Sequence, residues 1–172
     1  RFAAGIERIL DQAGHPKELR VLFNSHGEGK KIIAEYRKLL RQFGQPQVAL
    51  LGVGPNGHVG YHEPGTAPFR GIHSAILEES SRMQQKETFG SLEETPKTGV
   101  TWGIKNFKEM TSIVMASGSS KASPLGRIFD YSISVRDNPV SFISEMPGGR
   151  TAYLIADREA LSQTPFSRMA FV

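Results

Sequence analysis

The sequence contains no cysteine and no long apolar run, and each absence removes a class of protein or site. Without cysteine the chain has no disulfides, no thiolate metal ligands and no thiol nucleophile. No apolar run approaches the roughly 20 residues that a helix needs to span a bilayer. The lack of cysteine also suits the reducing cytoplasm. We therefore expect a cytoplasmic protein without a membrane partner.

Charge is not concentrated in any part of the chain. The formal net charge is +4, but the basic residues are dispersed. Their densest group, residues 30–41, falls on a predicted helix and is expected to form its solvated face. No basic run alternates with aromatic residues, as surfaces that stack single-stranded nucleic acid require. We therefore predict no nucleic-acid partner. A small anionic metabolite, or no charged partner at all, are the alternatives.

Apolar patterns alternate between helix and strand along the chain, whose 172 residues suffice for one domain with a sizeable core. An apolar stripe at steps of three and four predicts a helix over residues 28–43. The almost wholly apolar run 47–53 is typical of a strand buried in a parallel sheet. Further predicted strands are 20–24, 72–77, 111–116, 132–135 and 152–156, and further predicted helices are 6–12, 80–86, 122–129 and 139–144. This alternation predicts a single α/β domain, residues 1–172, with a mostly parallel sheet.

The stretch LGVGPNGHVGYHEPGT, residues 51–66, is the clearest chemical feature. It leads from an apolar strand into a glycine-rich polar loop, where open α/β sheets bind ligands. Within it we predict His58 as an acid/base group, Glu63 as its carboxylate partner and Asn56 as a neutral hydrogen-bonding group. A solvated turn without a function is the plain alternative. A zinc site on His58, His62 and Glu63 is disfavoured, because the glycines oppose the regular helix on which this histidine spacing serves zinc.

Two further segments carry cations that suit a phosphate. The sequence GSSK, residues 118–121, follows a predicted strand and opens a helix, where backbone N–H groups favour anions. Lys121 and Ser119 are therefore predicted to bind a phosphate, although a serine cap of the helix explains the same pattern. In SSRMQQK, Arg82 and Lys86 share one helix face, and either can reach a phosphate. A solvated basic face is the alternative there.

Taken together, these motifs resemble one family. Residues 51–66 resemble the signature of the glucosamine-6-phosphate deaminases, LG(I/V)G-x-(D/N)GH(I/V)-(A/G)FNEP. Residues 100–122, VTWGIKNFKEMTSIVMASGSSKA, resemble a later stretch of that family, which has an (L/I)T-x-G(I/V)G turn, a strand and G-x-x-KA. The resemblance covers nearly all of this chain, as the central and C-terminal parts of the family. The related 6-phosphogluconolactonases share the GxGxDGH core but usually continue differently.

The resemblance implies a Rossmann-like α/β fold, a three-layer sandwich of the deaminase, ribose-5-phosphate isomerase and CoA transferase type. It implies an enzyme that converts glucosamine 6-phosphate and water to fructose 6-phosphate and ammonia, with no metal or organic cofactor. His58 then matches the histidine that assists opening of the sugar ring, Glu63 its partner, and Asn56 a position held by Asp or Asn. Lys121 matches a phosphate-binding lysine, and Lys86 stands near the place of a phosphate-binding arginine.

The chain departs from the family pattern in several places. His62 stands where the family has Asn, and Tyr61 where it has Phe. His73 and Ala75 do not reproduce a basic pocket that is linked to allosteric activation in some members. The family's N-terminal third, with a glycine-rich phosphate loop and a proton-moving aspartate, has no counterpart in this sequence. The sequence starts with Arg1 rather than Met, so we expect the natural chain to begin earlier.

These departures leave three functions open. The first is a deaminase, with little or no activity expected of this chain, because the base that takes a proton from the sugar's C2 is missing. The second is a lactonase of the same superfamily, which needs only water activation by His58 and a phosphate site. The third is a non-catalytic sugar-phosphate sensor or a domain that pairs with another chain. A sheet that lacks some strands exposes an edge, which favours association with a partner such as a second copy.

Overall fold

A small parallel sheet and a two-stranded antiparallel sheet organise the molecule. The structure is a computed structural model, and it describes residues 2–21 and 27–168. The strands are β1 (Val48–Gly52), β2 (His73–Ile76), β3 (Thr98–Thr101), β4 (Thr111–Ala116) and β5 (Ala152–Ala156). The helices are α1 (Phe2–Gln12), α2 (Gly29–Phe43), α3 (Glu79–Met83), α4 (Lys86–Phe89), α5 (Ile104–Phe107) and α6 (Ala122–Gly126). In the described part of the chain, 3-10 turns cover Lys17–Leu19, Ser119–Lys121, Arg127–Phe129 and Pro139–Glu145.

The parallel sheet has the strand order β1-β4-β5. Its register sets Leu50 beside Ile113, and Ile113 beside Tyr153. Because all three strands run in the same direction, their carboxyl ends meet at one edge of the sheet, where ligands bind in open α/β folds. The loop after β1 and the turn after β4 are therefore neighbours. The α/β fold with a mostly parallel sheet that the sequence predicts is confirmed.

The second sheet pairs β2 with β3 in antiparallel fashion, His73 opposite Thr101. Helix α2 packs against these two strands rather than against the parallel sheet. The rings of Tyr36 and Trp102 meet there edge to face, with centroids 5.9 Å apart. The helix ends as predicted at Gly44, whose φ of 85° suits glycine.

The hydrophobic core covers one face of the parallel sheet. Val114 of β4 is fully buried there, and Ile104, Leu125 and Phe142 pack against the same face from the helical segments. The opposite face carries Val48, Leu50, Met115, Tyr153 and Ile155, all of which are exposed. None of the helices within residues 2–21 and 27–168 has the length and apolar character to cross a membrane.

Several predicted elements are wrong in detail. The predicted helix 122–129 is α-helical only as far as Gly126, and the predicted helix 139–144 is a 3-10 turn. Residues 132–135 form turns and no strand, because Ser132 donates to Asp130 and Ser134 to Asp137, which are local side-chain bonds that compete with a sheet. The predicted helix 80–86 is divided into α3 and α4. The predicted strand 20–24 lies mainly outside the described residues. Predicted strands 111–116 and 152–156 match β4 and β5 within the same bounds.

Candidate active site

The loop after β1 folds back on itself and presents His58. The Gly54 N–H donates to the His58 carbonyl at 2.9 Å, and the Gly57 N–H donates to the Gly54 carbonyl at 3.0 Å. Gly57 has a φ of 88°, which a side chain would strain. Val53 pairs with Val59 across the base of the loop. The imidazole of His58 lies directly over Gly54, where a Cβ would collide with the ring.

Asn56, His58 and Glu63 come together as the sequence predicts they should. Asn56 Oδ1 accepts hydrogen bonds from the His58 backbone N–H at 3.1 Å and from His58 Nδ1 at 2.7 Å. Asn56 Nδ2 donates to Glu63 Oε2 at 3.0 Å. The same carboxylate oxygen lies 3.5 Å from His58 Nδ1. The side chain of Glu63 is 4% exposed and that of His58 11%, so the cluster is largely shielded from water.

The hydrogen bonds assign the tautomer of His58. Because Asn56 Nδ2 donates to a carboxylate, Asn56 Oδ1 must be the acceptor that faces the ring. His58 Nδ1 then carries the proton, and Nε2 carries the free lone pair. No hydrogen bond to Nε2 is found among the residues that the structure describes, so this nitrogen is left for an external partner. A buried imidazole held in this way can act as a base.

Burial lowers the pKa of His58, because the charged ring loses water. The carboxylate of Glu63 opposes this effect and raises the pKa, as does Glu78 to a smaller extent. The ammonium of Lys121 lowers it, so Lys121 lies within electrostatic reach of the ring. Partial burial also lowers the pKa of Lys121 itself. The structure thus brings His58, Glu63 and Lys121 to the same edge of the sheet.

Asp157, which follows β5, fixes the turn that leads to Lys121. Its carboxylate accepts a hydrogen bond from the Ser117 hydroxyl at 2.6 Å and from the Gly118 N–H at 2.9 Å. Gly118 has a φ of 84°, which favours glycine. Lys121 closes the following 3-10 turn. Ser119, the first residue of that turn, is exposed, and its role in phosphate binding stays a prediction.

The structure places Lys86 beside a different group of residues. The pKa of Glu93 is lowered by hydrogen bonds from its own backbone and Ser91, and further by the charges of Arg82 and Lys86. Lys86 therefore lies near the loop that contains Glu93. Arg82 donates to the carbonyls of Leu92 and Thr95 in the same loop. Arg82 thus supports that loop, and a phosphate contact by Lys86 stays a prediction.

His62 takes no part in the hydrogen bonds that join Asn56, His58 and Glu63 among the described residues. The His62 ring is fully buried against His73, with centroids 5.3 Å apart at an interplanar angle of 88°. Its Nδ1 accepts the Ile104 N–H at 3.4 Å. The described residues contain no group of three or more side chains suited to hold a metal ion.

Two residues of the cluster are not identified by the sequence patterns. Ser81 is buried, and its Oγ lies 3.0 Å from His58 Nδ1. Glu78 accepts a hydrogen bond from Asn56 Nδ2 at 2.7 Å. Glu78 directly precedes α3 and Ser81 lies in its first turn, where acidic residues are common. Nothing in their local pattern connects them with a loop about 20 residues earlier, so only the fold reveals them.

Comparison with known proteins gives relatives that include glucosamine-6-phosphate deaminases. The chain is 30% identical to a glucosamine-6-phosphate deaminase of Geobacillus sp. (strain WCH70), over 88% of this chain and 66% of that protein. It is 33% identical to glucosamine-6-phosphate deaminase 1 of Bacillus subtilis (strain 168), over 83% of this chain and 59% of that protein. No family model matches the chain.

Solved structures agree in fold. A monomeric glucosamine-6-phosphate deaminase matches with a TM-score of 0.72 at 29% identity, over 81% of this chain and 56% of that one. The 6-phosphogluconolactonase of Trypanosoma brucei matches with a TM-score of 0.58 at 16% identity, over 88% of this chain and 58% of that one, a likeness in fold alone. The chain spans about three fifths of the length of the curated relatives it matches. The chain belongs to the glucosamine-6-phosphate deaminase family.

Proposed function

We propose that this chain carries the ring-opening and phosphate-binding part of a deaminase that acts on an amino-sugar phosphate. The overall reaction converts glucosamine 6-phosphate and water to fructose 6-phosphate and ammonia. The observation that carries the proposal is the His58 imidazole, whose Nδ1 is fixed by Asn56 and whose Nε2 is left for a substrate. The named relatives, all deaminases, support the choice of substrate.

His58 is suited to open the sugar ring. Its Nε2 takes the proton of the anomeric hydroxyl, the bond between C1 and the ring oxygen breaks, and the imidazolium gives the proton to that oxygen, so that the open-chain aldehyde results. Asn56 holds the ring in the correct tautomer, and Glu63 stabilises the imidazolium that forms. Lys121, within electrostatic reach of the ring, is proposed to bind the phosphate and so to orient the sugar.

Ring opening is a step that can be tested apart from ammonia release. The α and β anomers of a sugar phosphate interconvert through the open chain, so we expect the purified chain to accelerate their exchange, measured by NMR exchange spectroscopy. His58→Gln should reduce the acceleration by about 100-fold, the usual contribution of a general base. His15→Gln is the matched control, because His15 is exposed and its ring hydrogen-bonds only the adjacent Pro16 carbonyl among the described residues.

Parallel assays separate the alternatives. Ammonia release from glucosamine 6-phosphate measures the complete reaction, which we expect to be weak in this chain. Hydrolysis of 6-phosphogluconolactone without anomer exchange would replace the proposal by a lactonase. Binding of glucosamine 6-phosphate without either reaction would indicate a sensor. If neither compound binds, a sugar-phosphate function is wrong.

The molecular setting is also proposed. We infer one domain over residues 1–172, a cytoplasmic location, no nucleic-acid partner and a homo-oligomer. Support for the oligomer comes from the exposed apolar face of the parallel sheet, since such faces are normally covered. Support for a small-molecule ligand comes from the deaminase relatives.

A further inference from the structure

Glu78 is a carboxylate at the site that differs from Glu63 in its surroundings. It follows the β2 strand and directly precedes α3, and its backbone N–H donates to Glu63 Oε1 at 3.4 Å. Its Oε2 accepts from Asn56 Nδ2 at 2.7 Å. Glu63 is buried, whereas Glu78 is exposed. Glu78 is therefore a carboxylate fixed at the open side of the cluster.

The hydrogen bonds leave one oxygen of Glu78 for a ligand. Oε2 is bound by Asn56, and no partner of Oε1 is found among residues 2–21 and 27–168. Asn56 Nδ2 also serves Glu63, so one neutral amide holds two carboxylates together. This brings two carboxylates near a ring whose pKa is lowered by burial. The open side of the cluster therefore attracts a cation.

An amino-sugar phosphate has a charge pattern that fits this arrangement. It carries a phosphate at one end and an ammonium beside the anomeric carbon, which is where His58 is proposed to act. Lys121 and Glu78 both lie within electrostatic reach of His58, so one sugar phosphate that contacts the ring can also contact both charges. A sugar phosphate or lactone that has a hydroxyl in place of the ammonium carries no positive charge at this position. It is therefore not attracted by the carboxylates. A charged side chain can thus discriminate between two ligands that have the same shape but a different charge.

We propose that Glu78 is a specificity-determining residue, whose carboxylate binds the ammonium of the amino-sugar phosphate and so selects it over hydroxyl analogues. This inference rests on the proposed function, and it names the group that recognises the amine. Glu78 is not assigned a proton transfer. Its contribution is to substrate preference, which a residue with a purely structural role would not change.

Binding of two ligands tests the inference. Glucosamine 6-phosphate and glucose 6-phosphate differ only in the ammonium, and their Kd values are measured by calorimetry with the unmodified chain and with Glu78→Gln. The Gln side chain keeps an oxygen that accepts from Asn56, so only the charge is lost. We expect the amine to be preferred by about fivefold in the unmodified chain and by less than about twofold in E78Q, the range of a partly exposed charge pair.

Glu79→Gln is the matched control, because it removes the same charge from the adjacent exposed residue. We expect E79Q to keep the full preference for the amine. Equal weakening of both ligands by E78Q, or an unchanged preference, would overturn the role of Glu78 while the proposed function stands. Failure of both ligands to bind the unmodified chain would overturn the proposed function and, with it, this inference. Far-UV circular dichroism of each variant verifies the fold.

Discussion

At the scale of single residues, the side chain of Asn56 forms hydrogen bonds with three ionisable groups: His58, Glu63 and Glu78. Its oxygen accepts from His58, and its amide nitrogen donates to Glu63 and to Glu78. Because the amide is neutral, it satisfies two carboxylates without adding charge. Two carboxylates can therefore lie close together beside an uncharged imidazole. A charged residue at position 56 would change the electrostatic energy of both carboxylates and of the imidazole.

Replacing Asn56 by Asp tests that role. Asn56→Asp puts a carboxylate where an N–H donor faces two others, so we expect a loss of about 1–3 kcal/mol in unfolding free energy, as for a buried polar group left without its partner. The new charge beside Nδ1 should raise the pKa of His58 by about one unit. NMR titration of the His58 ring proton measures this shift. Gln47→Glu, which adds a charge at an exposed residue before β1, should leave it unchanged.

His62 gives a second prediction, on pH and stability. Burial, the neighbouring His73 and the charge of Arg70 lower the pKa of His62 to about 4, from 6.5. Between pH 6.5 and about pH 4, His62 therefore takes up a proton in the unfolded chain but not in the folded chain. Stability from His62 is therefore complete above pH 6.5 and falls, by up to about 3 kcal/mol, as the pH drops toward 4.

We expect His62→Asn to remove this part of the acid sensitivity. Urea unfolding at about pH 7 and about pH 4.5 gives the loss of unfolding free energy between the two pH values. This loss, called the slope below, should be smaller in H62N than in the unmodified chain. A slope remains, because His58 is also buried with a lowered pKa. His15→Asn, at an exposed histidine, should retain the full slope. An H62N slope equal to that of the unmodified chain would show that His62 is protonated equally in both states.

Whether a residue of the site can be predicted from the sequence depends on how far away its partners lie along the chain. Asn56, His58 and Glu63 are predictable from the sequence because all three belong to one eight-residue loop. Ser81 and Glu78 are not, because β2 and the turn after it must fold before Ser81 reaches His58 and Glu78 reaches Asn56. Lys121 is predictable as a cation at a helix start, but its proximity to His58 depends on β4 lying next to β1.

At the scale of elements, the loop after β1 depends on glycine for close approach as well as for turning. A Cβ at Gly54 would lie 2.6 Å from His58 Nε2 and still closer to Nδ1 and Cε1 of the same ring. We therefore expect Gly54→Ala to displace the imidazole and to reduce anomer exchange by about 100-fold, the effect of a misplaced catalytic group.

Gly52→Ala provides the control for that prediction. A Cβ at Gly52, two residues earlier at the end of β1, meets no atom within 4 Å. The G52A variant should keep its anomer exchange within about twofold of the unmodified chain, since surface changes are usually almost neutral. Full activity of G54A would mean that the ring can move without loss, and that its position over Gly54 is not needed.

Long periodic elements were predictable, and short ones were less so. Helix α2 and strands β1, β4 and β5 lie where their apolar patterns predict. The burial predicted for the run 47–53 is wrong on one face of β1, where Val48 and Leu50 are exposed. The division between α3 and α4 depends on tertiary contacts, such as those of Arg82 with the carbonyls of Leu92 and Thr95. Residues 132–135 have a strand-like composition, but their serines find acidic partners two or three residues away. Local hydrogen bonds then decide the conformation.

At the scale of the whole molecule, the parallel sheet has one covered face and one open face. The open face carries apolar side chains from all three strands; Leu50 is 68% exposed, and Ile155 is 59% exposed. Soluble proteins seldom leave such a contiguous patch to water, and a parallel sheet normally has both faces covered. The face is therefore the surface most suited to association with a second copy of the chain.

We predict that the purified chain self-associates through this face. Sedimentation velocity should show a larger species as the concentration rises, and the double variant Leu50→Lys with Ile155→Lys should shift the distribution to monomer, because each lysine resists burial at a contact. Ile76→Lys is the matched control, since Ile76 is 80% exposed but lies on the separate antiparallel sheet. It should associate like the unmodified chain. An unmodified chain that stays monomeric at every concentration, or an I76K variant that dissociates equally, would exclude the open face as the contact surface.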